Sequence, residues 1–250
     1  MIDLSGTVAL VTGGSRGIGW AVSERLGQAG AEIAIVYRQD DEAAAQAVRT
    51  LREQNIDAEA FRCDVADEAA VQETIRSVLD RFGRVDTLVN NAGVWRRAPL
   101  LSMTGHELDA LFRVNLTGLI LMTRECARDM VARGSGRIVN IGSTAGIRGE
   151  AEHAHYAASK GALFALTRSL VGELSPRGVT VNVVSPGWVM TEATAAALTS
   201  DKLREVLKTI PTGRLTRPGD VAAAVAFLAS PLAEQITGAN LDVNGGAVFS

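Results

Sequence analysis

A tyrosine and a lysine four residues apart, Tyr156 and Lys160, form a pair able to move a proton. On a helix-like run that spacing puts both side chains on one face. A free tyrosine titrates near ~10 and exchanges protons poorly at neutral pH. A neighbouring ammonium favours the phenolate, lowers that value and brings the group toward acid–base work. Ser143 follows the apolar strand at 137–142, where its hydroxyl can bind a substrate oxygen. The trio can hold a carbonyl and protonate it as hydride arrives. Taken alone, a Tyr-x-x-x-Lys pair is an ordinary exposed helix face; its meaning depends on the elements around it.

Those elements follow an alternating pattern. Residues 7–12 are a short apolar strand of the kind buried in a parallel sheet. It runs into the turn Gly13-Gly-Ser15-Arg16-Gly17-Ile18-Gly19 and then a helix at 20–29. Strand, glycine-rich turn and helix make a phosphate cradle, because glycine admits the pyrophosphate and the helix start offers oriented N–H groups. The second strand, 32–36, ends at Tyr37-Arg38 with no carboxylate before Asp40. A ribose 2′-hydroxyl is normally met here by Asp or Glu, so Arg38 and Arg16 point instead to the 2′-phosphate of NADP.

A helix at 41–54 and a third strand at 58–63 lead to Asp64-Val65, where Asp64 can meet an adenine amino group or cap the next helix. A helix at 68–82 precedes a fourth strand, 87–90, and the segment Asn90-Asn91-Ala92-Gly93, suited to packing beside a flat ring. Asn115 interrupts an apolar helix spanning 108–130; it is a poor helix former that needs a partner if buried, and it can distort the helix and order a water near Lys160. Beyond Lys160 the helix continues through Leu174 with small residues that permit close packing. The strand at 179–184 gives Ser185-Pro186-Gly187-Trp-Val189-Met-Thr191, in which Thr191 can donate to a phosphate. Residues 192–215 break the rhythm, read as helical and fit a substrate lid. A helix at 218–230 and a strand at 240–243 close the pattern. The expectation is one α/β domain over residues 1–250, a doubly wound Rossmann-type parallel sheet of seven strands with helices on both faces.

Composition narrows the class. The chain has 250 residues, 47% apolar and 21% charged, enough for a real core. A net charge of −3 without a basic stripe gives no footprint for a nucleic acid. The N-terminus lacks a basic and apolar leader, and runs such as 221–229 are too short to span a bilayer. Cys63 and Cys126 match neither a disulfide framework nor a metal spacing, which suits a reducing cytoplasm. His153 and His155, two apart, do not form a helical metal pair, so no metal is expected; they read as lining or rim of a substrate site.

Together these segments resemble the short-chain dehydrogenase/reductase family over essentially the whole chain. The resemblance rests on the glycine turn at 12–19, Asn90-Asn91-Ala92-Gly93, Asn115, Ser143, Tyr156-Ala-Ala-Ser-Lys160 and Pro186-Gly187. It implies Tyr156 as acid–base, Ser143 as carbonyl anchor, Lys160 as tyrosine tuner and ribose ligand, and Asn115 as support of a proton-relay water. It implies NADP(H) contacts at Gly13, Ser15, Arg16, Gly17, Ile18, Gly19, Arg38, Asp64, Val65, Asn91, Ala92, Gly93, Pro186, Gly187, Val189 and Thr191, besides Tyr156 and Lys160. Substrate contacts fall on Ser143, His153 and Tyr156, and a homotetramer is the implied assembly.

Within the family the tail segments Gly213-Arg-Leu, 225–230, 236–238 and 243–246 are most similar to bacterial 3-oxoacyl-[acyl-carrier-protein] reductases, which implies a 3-oxoacyl thioester substrate and an acyl carrier protein as a possible partner. Departures bear on that partner. His153 stands where those enzymes usually carry Gln; of two carrier-facing arginines Arg177 matches, and the other falls on Gly134, with Arg133 one place earlier. General ketoreductases and sugar or steroid alcohol dehydrogenases share many of these segments. A non-catalytic dinucleotide-binding regulator is the alternative of another class, and the intact Asn115, Ser143, Tyr156 and Lys160 set argues against it.

Overall fold

The short apolar runs become strands because alternate residues can be buried on two opposite faces. In β1 (Val8–Thr12) and β2 (Glu32–Tyr37), Ala9, Val11, Ile33 and Ile35 enter one core, and Leu10, Ala34 and Val36 enter the other. Burial on both faces is the condition of a parallel sheet. The computed structural model describes residues 2–250. Its remaining strands are β3 (Ala58–Arg62), β4 (Thr87–Asn90), β5 (Gly136–Ile141), β6 (Val179–Pro186) and β7 (Asn240–Val243). All pair in parallel in the order β3-β2-β1-β4-β5-β6-β7. The order reverses between β1 and β4, and a crevice opens outside the strand carboxyl ends at such a point.

Helices cover both faces. α1 (Gly17–Gln28), α2 (Asp41–Glu53) and α10 (Pro218–Ala229) bury Val22, Leu26, Leu51 and Val225 in one core. On the other side α3 (Glu68–Phe82) and α5 (Leu119–Arg133) contribute Val71, Ile75, Met122, Cys126 and Met130, and α7 (Ala154–Leu174) packs on β6. Burying one such side chain contributes about 2 kcal/mol, so the sheet is held between two substantial layers. The remaining helices are α4 (Gly105–Phe112), α6 (Ala145–Arg148), α8 (Glu192–Ala197) and α9 (Ser200–Lys208). The helical form expected for 192–215 is thus present over much of that stretch.

Two boundaries differ instructively from expectation. α1 begins at Gly17, inside the glycine turn, since Gly17 adopts φ 57° and carries the chain straight into the helix. The single helix expected across 108–130 is divided: residues Arg113–Gly118 form a wider π turn between α4 and α5. Gly118 lies against Val65, where a Cβ would come within 2.8 Å of the Val65 side chain and carbonyl. The extra residue in the turn accompanies the inward placement of Asn115, and such turns recur at functional positions.

Candidate active site and cofactor cleft

The switch point is laced by side chains from both strands. The Thr12 hydroxyl accepts from the backbone N–H groups of Asn91 and Ala92, at 2.9 and 3.0 Å. Asn91 Nδ2 donates to the Thr12 and Gly13 carbonyls at 2.9 and 3.2 Å. Behind them Asn90 Nδ2 donates to Asn140 and Thr123, and Asn140 Nδ2 to Thr167. These bonds tie β4, β5, α5 and α7 together beneath the site, while the buried Asn90 Oδ1 has no partner among the described residues. A Cβ on Gly19 would lie 2.1 Å from the Gly13 carbonyl oxygen, so only glycine lets α1 approach the turn this closely. Arg16, the residue before α1, has no side-chain cap to offer the helix start, whose N–H groups stay available for an anion.

From this point a cleft of about 1280 Å³ runs across the ends of β1, β2 and β3. Its lining takes in Gly13, Ser15, Arg16, Gly17, Ile18, Arg38, Asp64, Val65, Asn91, Ala92, Gly93 and Thr191 of the expected contacts. Arg38 stands 3.8 Å from Asp64, and Arg16 3.9 Å from Asp40, as two long, exposed ion pairs. Pairs of this kind are weak, and a phosphate competes with them readily. Asp64 also accepts the Ala66 N–H, and the cap of α3 is Asp67 rather than Asp64.

The cleft joins a smaller cavity of about 230 Å³ at Ile18, Asn91 and Gly93. Ser143, Tyr156, Lys160, Pro186, Gly187 and Val189 line it. Ser143 and Tyr156 share this lining, and the Ser143 hydroxyl accepts the Ala145 N–H at 3.1 Å. Lys160 is 5% exposed, and its Nζ donates to the Ile141 carbonyl at 2.7 Å. Burial alone brings this ammonium down to about 8. Burial pushes Tyr156 up to about 12, with the Ser143 hydrogen bond opposing and the Glu150 charge adding to the rise. The expected lowering of Tyr156 by Lys160 is therefore not found: one Lys160 N–H is held by Ile141, and desolvation of the phenol dominates. Such a tyrosine keeps its proton at neutral pH and has one to donate.

Asn115, Gly19 and His153 lie outside both linings. Asn115 is buried, accepts the Val94 N–H at 2.8 Å, and donates to the Val94 carbonyl and the Ser159 hydroxyl. It therefore grips the loop after β4 from behind, close to Lys160 across Gly93. His153 stacks on Trp95 at 4.9 Å and backs that ring instead of meeting the cavity. The residues that do line the substrate end, and that sequence reasoning missed, are Trp95, Arg148, Glu150 and Trp188. None belongs to a motif; the only signal available was the proximity of Arg148 and Glu150 to Tyr156 along the chain. Of the arginines considered for a carrier protein, Arg177 is exposed, but Arg133 is tied to Asp86, Asp129 and the Val85 carbonyl. No group of three metal-ligating side chains occurs among the described residues.

A tyrosine, serine and lysine at the end of a Rossmann-type dinucleotide cleft define an oxidoreductase, and a family model described as enoyl-(acyl carrier protein) reductase matches residues 13–248. The chain belongs to the short-chain dehydrogenase/reductase family. It is 40% identical over 245 residues to a 3-oxoacyl-[acyl-carrier-protein] reductase of Vibrio cholerae, covering 98% of each chain. The corresponding enzyme of Escherichia coli is 39% identical with the same coverage. A solved gluconate 5-dehydrogenase from Burkholderia cenocepacia, in complex with NADP and tartrate, superposes with a TM-score of 0.94 at 36% identity, covering 98% of this chain and 96% of its own.

Proposed function

We propose that the protein reduces a ketone to a secondary alcohol with NADPH, with a 3-oxoacyl thioester as substrate. The observation that carries this is the convergence of Ser143, Tyr156 and Lys160 on one cavity that opens into the long cleft. The cleft fits the cofactor: it has the volume, a glycine turn with free N–H groups at its head, and Arg16 and Arg38 on its lining for a 2′-phosphate. When bound, the dihydronicotinamide supplies hydride to the carbonyl carbon. Ser143 holds the carbonyl oxygen, and the Tyr156 hydroxyl gives that oxygen its proton. Lys160 in its charged form stabilises the phenolate left behind and binds ribose, and Asn115 supports a relay water that restores the proton. The similarity to the Vibrio and Escherichia reductases supports the thioester.

In this reading α8 and α9 act as the substrate lid; Thr191 and Thr194, at the start of α8, lie on the cavity lining. An acyl carrier protein as thioester donor would be met by Arg177 without Arg133. Assembly as a homotetramer is part of the proposal, supported by exposed Leu108 and Ile120. A cytoplasmic location fits two buried, unpaired cysteines; among the described residues no helix is long and apolar enough to cross a membrane. Oxidation of a sugar acid is the second reading, favoured by the likeness to the gluconate dehydrogenase.

The experiment is oxidation of NADPH and of NADH with acetoacetyl thioester beside a simple cyclic ketone. Rapid thioester turnover with NADPH is expected. Turnover of the cyclic ketone alone moves the assignment to a general ketoreductase, and faster reaction with NADH removes the role given to Arg16 and Arg38.

A further inference from the structure

We infer that the site also takes a compact ketone carrying its own carboxylate, and that Arg148 receives that group. The inference rests on the ketone-reducing site described above and names the class of molecule that fits it.

The size limit comes from the aromatic wall. Trp95 and Trp188 meet edge to face, with centroids 5.7 Å apart and planes at 88°. Trp95 cannot swing aside at no cost: its Nε1 donates to Glu150 at 3.3 Å, and His153 stacks on its outer face with planes only 12° apart. The cavity they bound holds about 230 Å³, including the part continuous with the cofactor cleft at Ile18, Asn91 and Gly93. A short molecule with a polar end fits such a space and can reach both the Ser143–Tyr156 side and Arg148.

The charge comes from Arg148. It closes α6, and Gly149 at φ 77° turns the chain away immediately after it. Arg148 is on the cavity lining, and the residue is exposed. Among the described residues its side chain makes neither a hydrogen bond nor an ion pair, whereas Arg97, Arg124 and Arg214 are each bonded to a carboxylate. A planar guanidinium with free donors matches a carboxylate in a two-point contact. Glu150 shares the lining, but one of its oxygens takes the Trp95 N–H and the other faces His153 Nδ1 at 3.8 Å. Its negative charge disfavours an anion elsewhere in the cavity, which leaves the Arg148 end as the place for one. The ketone at Ser143 and Tyr156 and the carboxylate at Arg148 then fix the molecule at two points.

The test uses the full-length protein with NADPH and a series of oxo acids of increasing spacing between ketone and carboxylate, each beside its methyl ester. At the fitting length the acid should exceed its ester in kcat/KM by about tenfold or more, the usual value of a charged hydrogen bond. Arg148→Met should bring that ratio to about one, and Arg148→Lys should retain part of it. Acid-to-ester ratios that are the same in wild type and Arg148→Met at every length overturn the inference. A second measurement does not depend on turnover: succinate should quench the fluorescence of the cavity tryptophans in wild type and not in Arg148→Met. Equal quenching in both, or none in either, also overturns it. Failure of every ketone, the acetoacetyl thioester included, overturns the ketone-reducing reading instead, and succinate binding still decides the role of Arg148.

Discussion

The cofactor cleft and the substrate cavity meet at Ile18, Asn91 and Gly93 but are built by different means. The cleft is shaped by backbone: a turn that needs glycine at Gly17 and Gly19, a helix start with free N–H groups, and amide bonds from Asn91 to the turn. The cavity is shaped by side chains from separate segments, Trp95 after β4, Arg148 at the end of α6 and Glu150 just beyond it, and Trp188 after β6. A backbone device tolerates few sequences, since any side chain at Gly19 collides with a carbonyl oxygen. A side-chain wall can be rebuilt residue by residue on the same frame. The two regions should therefore fail differently when changed.

The largest effect falls where the regions join. Tyr156→Phe removes the proton donor and one hydroxyl of the Ser143 pair, and should lower kcat by about a thousandfold. NADPH binding, followed by fluorescence of the cofactor, should stay within a few-fold of wild type. Loss of binding along with turnover would mean that the phenol is a structural part of the cleft. Next comes Gly19→Ala. Its Cβ would overlap the Gly13 oxygen at 2.1 Å and Asn91 Nδ2 at 2.6 Å, so the turn must open. An overpacking cost of about 1–3 kcal/mol is expected. Thermal unfolding should fall by several degrees, with NADPH affinity weaker by more than tenfold. An unchanged melting point would show that the turn is softer than the contacts imply.

What could be read in the sequence follows the same division. The seven strands, the alternating helices and the glycine turn were legible because each is dictated by local pattern: apolar runs of strand length, then glycine, then a helix. Asn115 was legible as an anomaly in an apolar helix, and it proves to sit in a π turn holding Val94. Its partner was not legible, because Val94 is 21 residues away in the chain. His153 was assigned to the substrate because it lies near Tyr156, yet its ring faces Trp95. Nothing in a single sequence says that Trp95, on another loop, stands between them. The acidity of Tyr156 is hidden for a related reason: four-residue spacing shows that Lys160 is near, but not that its Nζ is bound to Ile141 or that the phenol is buried.

Cofactor choice is a smaller and sharper probe of the cleft. Arg38 is half-exposed and paired only loosely with Asp64, so its removal should disturb the fold little. Arg38→Ala should weaken kcat/KM with NADPH by about tenfold or more while changing the NADH value by only a few-fold, because only NADPH carries the extra phosphate. Equal losses with both cofactors would place Arg38 in general binding and leave the preference to Arg16.

The smallest effect separates the charge of the cavity wall from its shape. Glu150→Gln keeps an oxygen that can accept the Trp95 N–H, so the wall should remain and KM should change by no more than a few-fold. It removes the charge that helps hold Tyr156 at about 12, so the phenol should become somewhat more acidic. The sign can be followed in the reverse reaction, which needs the phenolate. Below about 12 the phenolate fraction, and with it the alcohol oxidation rate, rises with pH. The comparison is best made below about 8, where Lys160 keeps the proton with which it stabilises the phenolate. There Glu150→Gln should raise the rate at each pH by a few-fold and leave the slope of the profile unchanged. A fall at every pH would mean that Glu150 serves the cavity through Trp95 alone, with no electrostatic reach to the phenol.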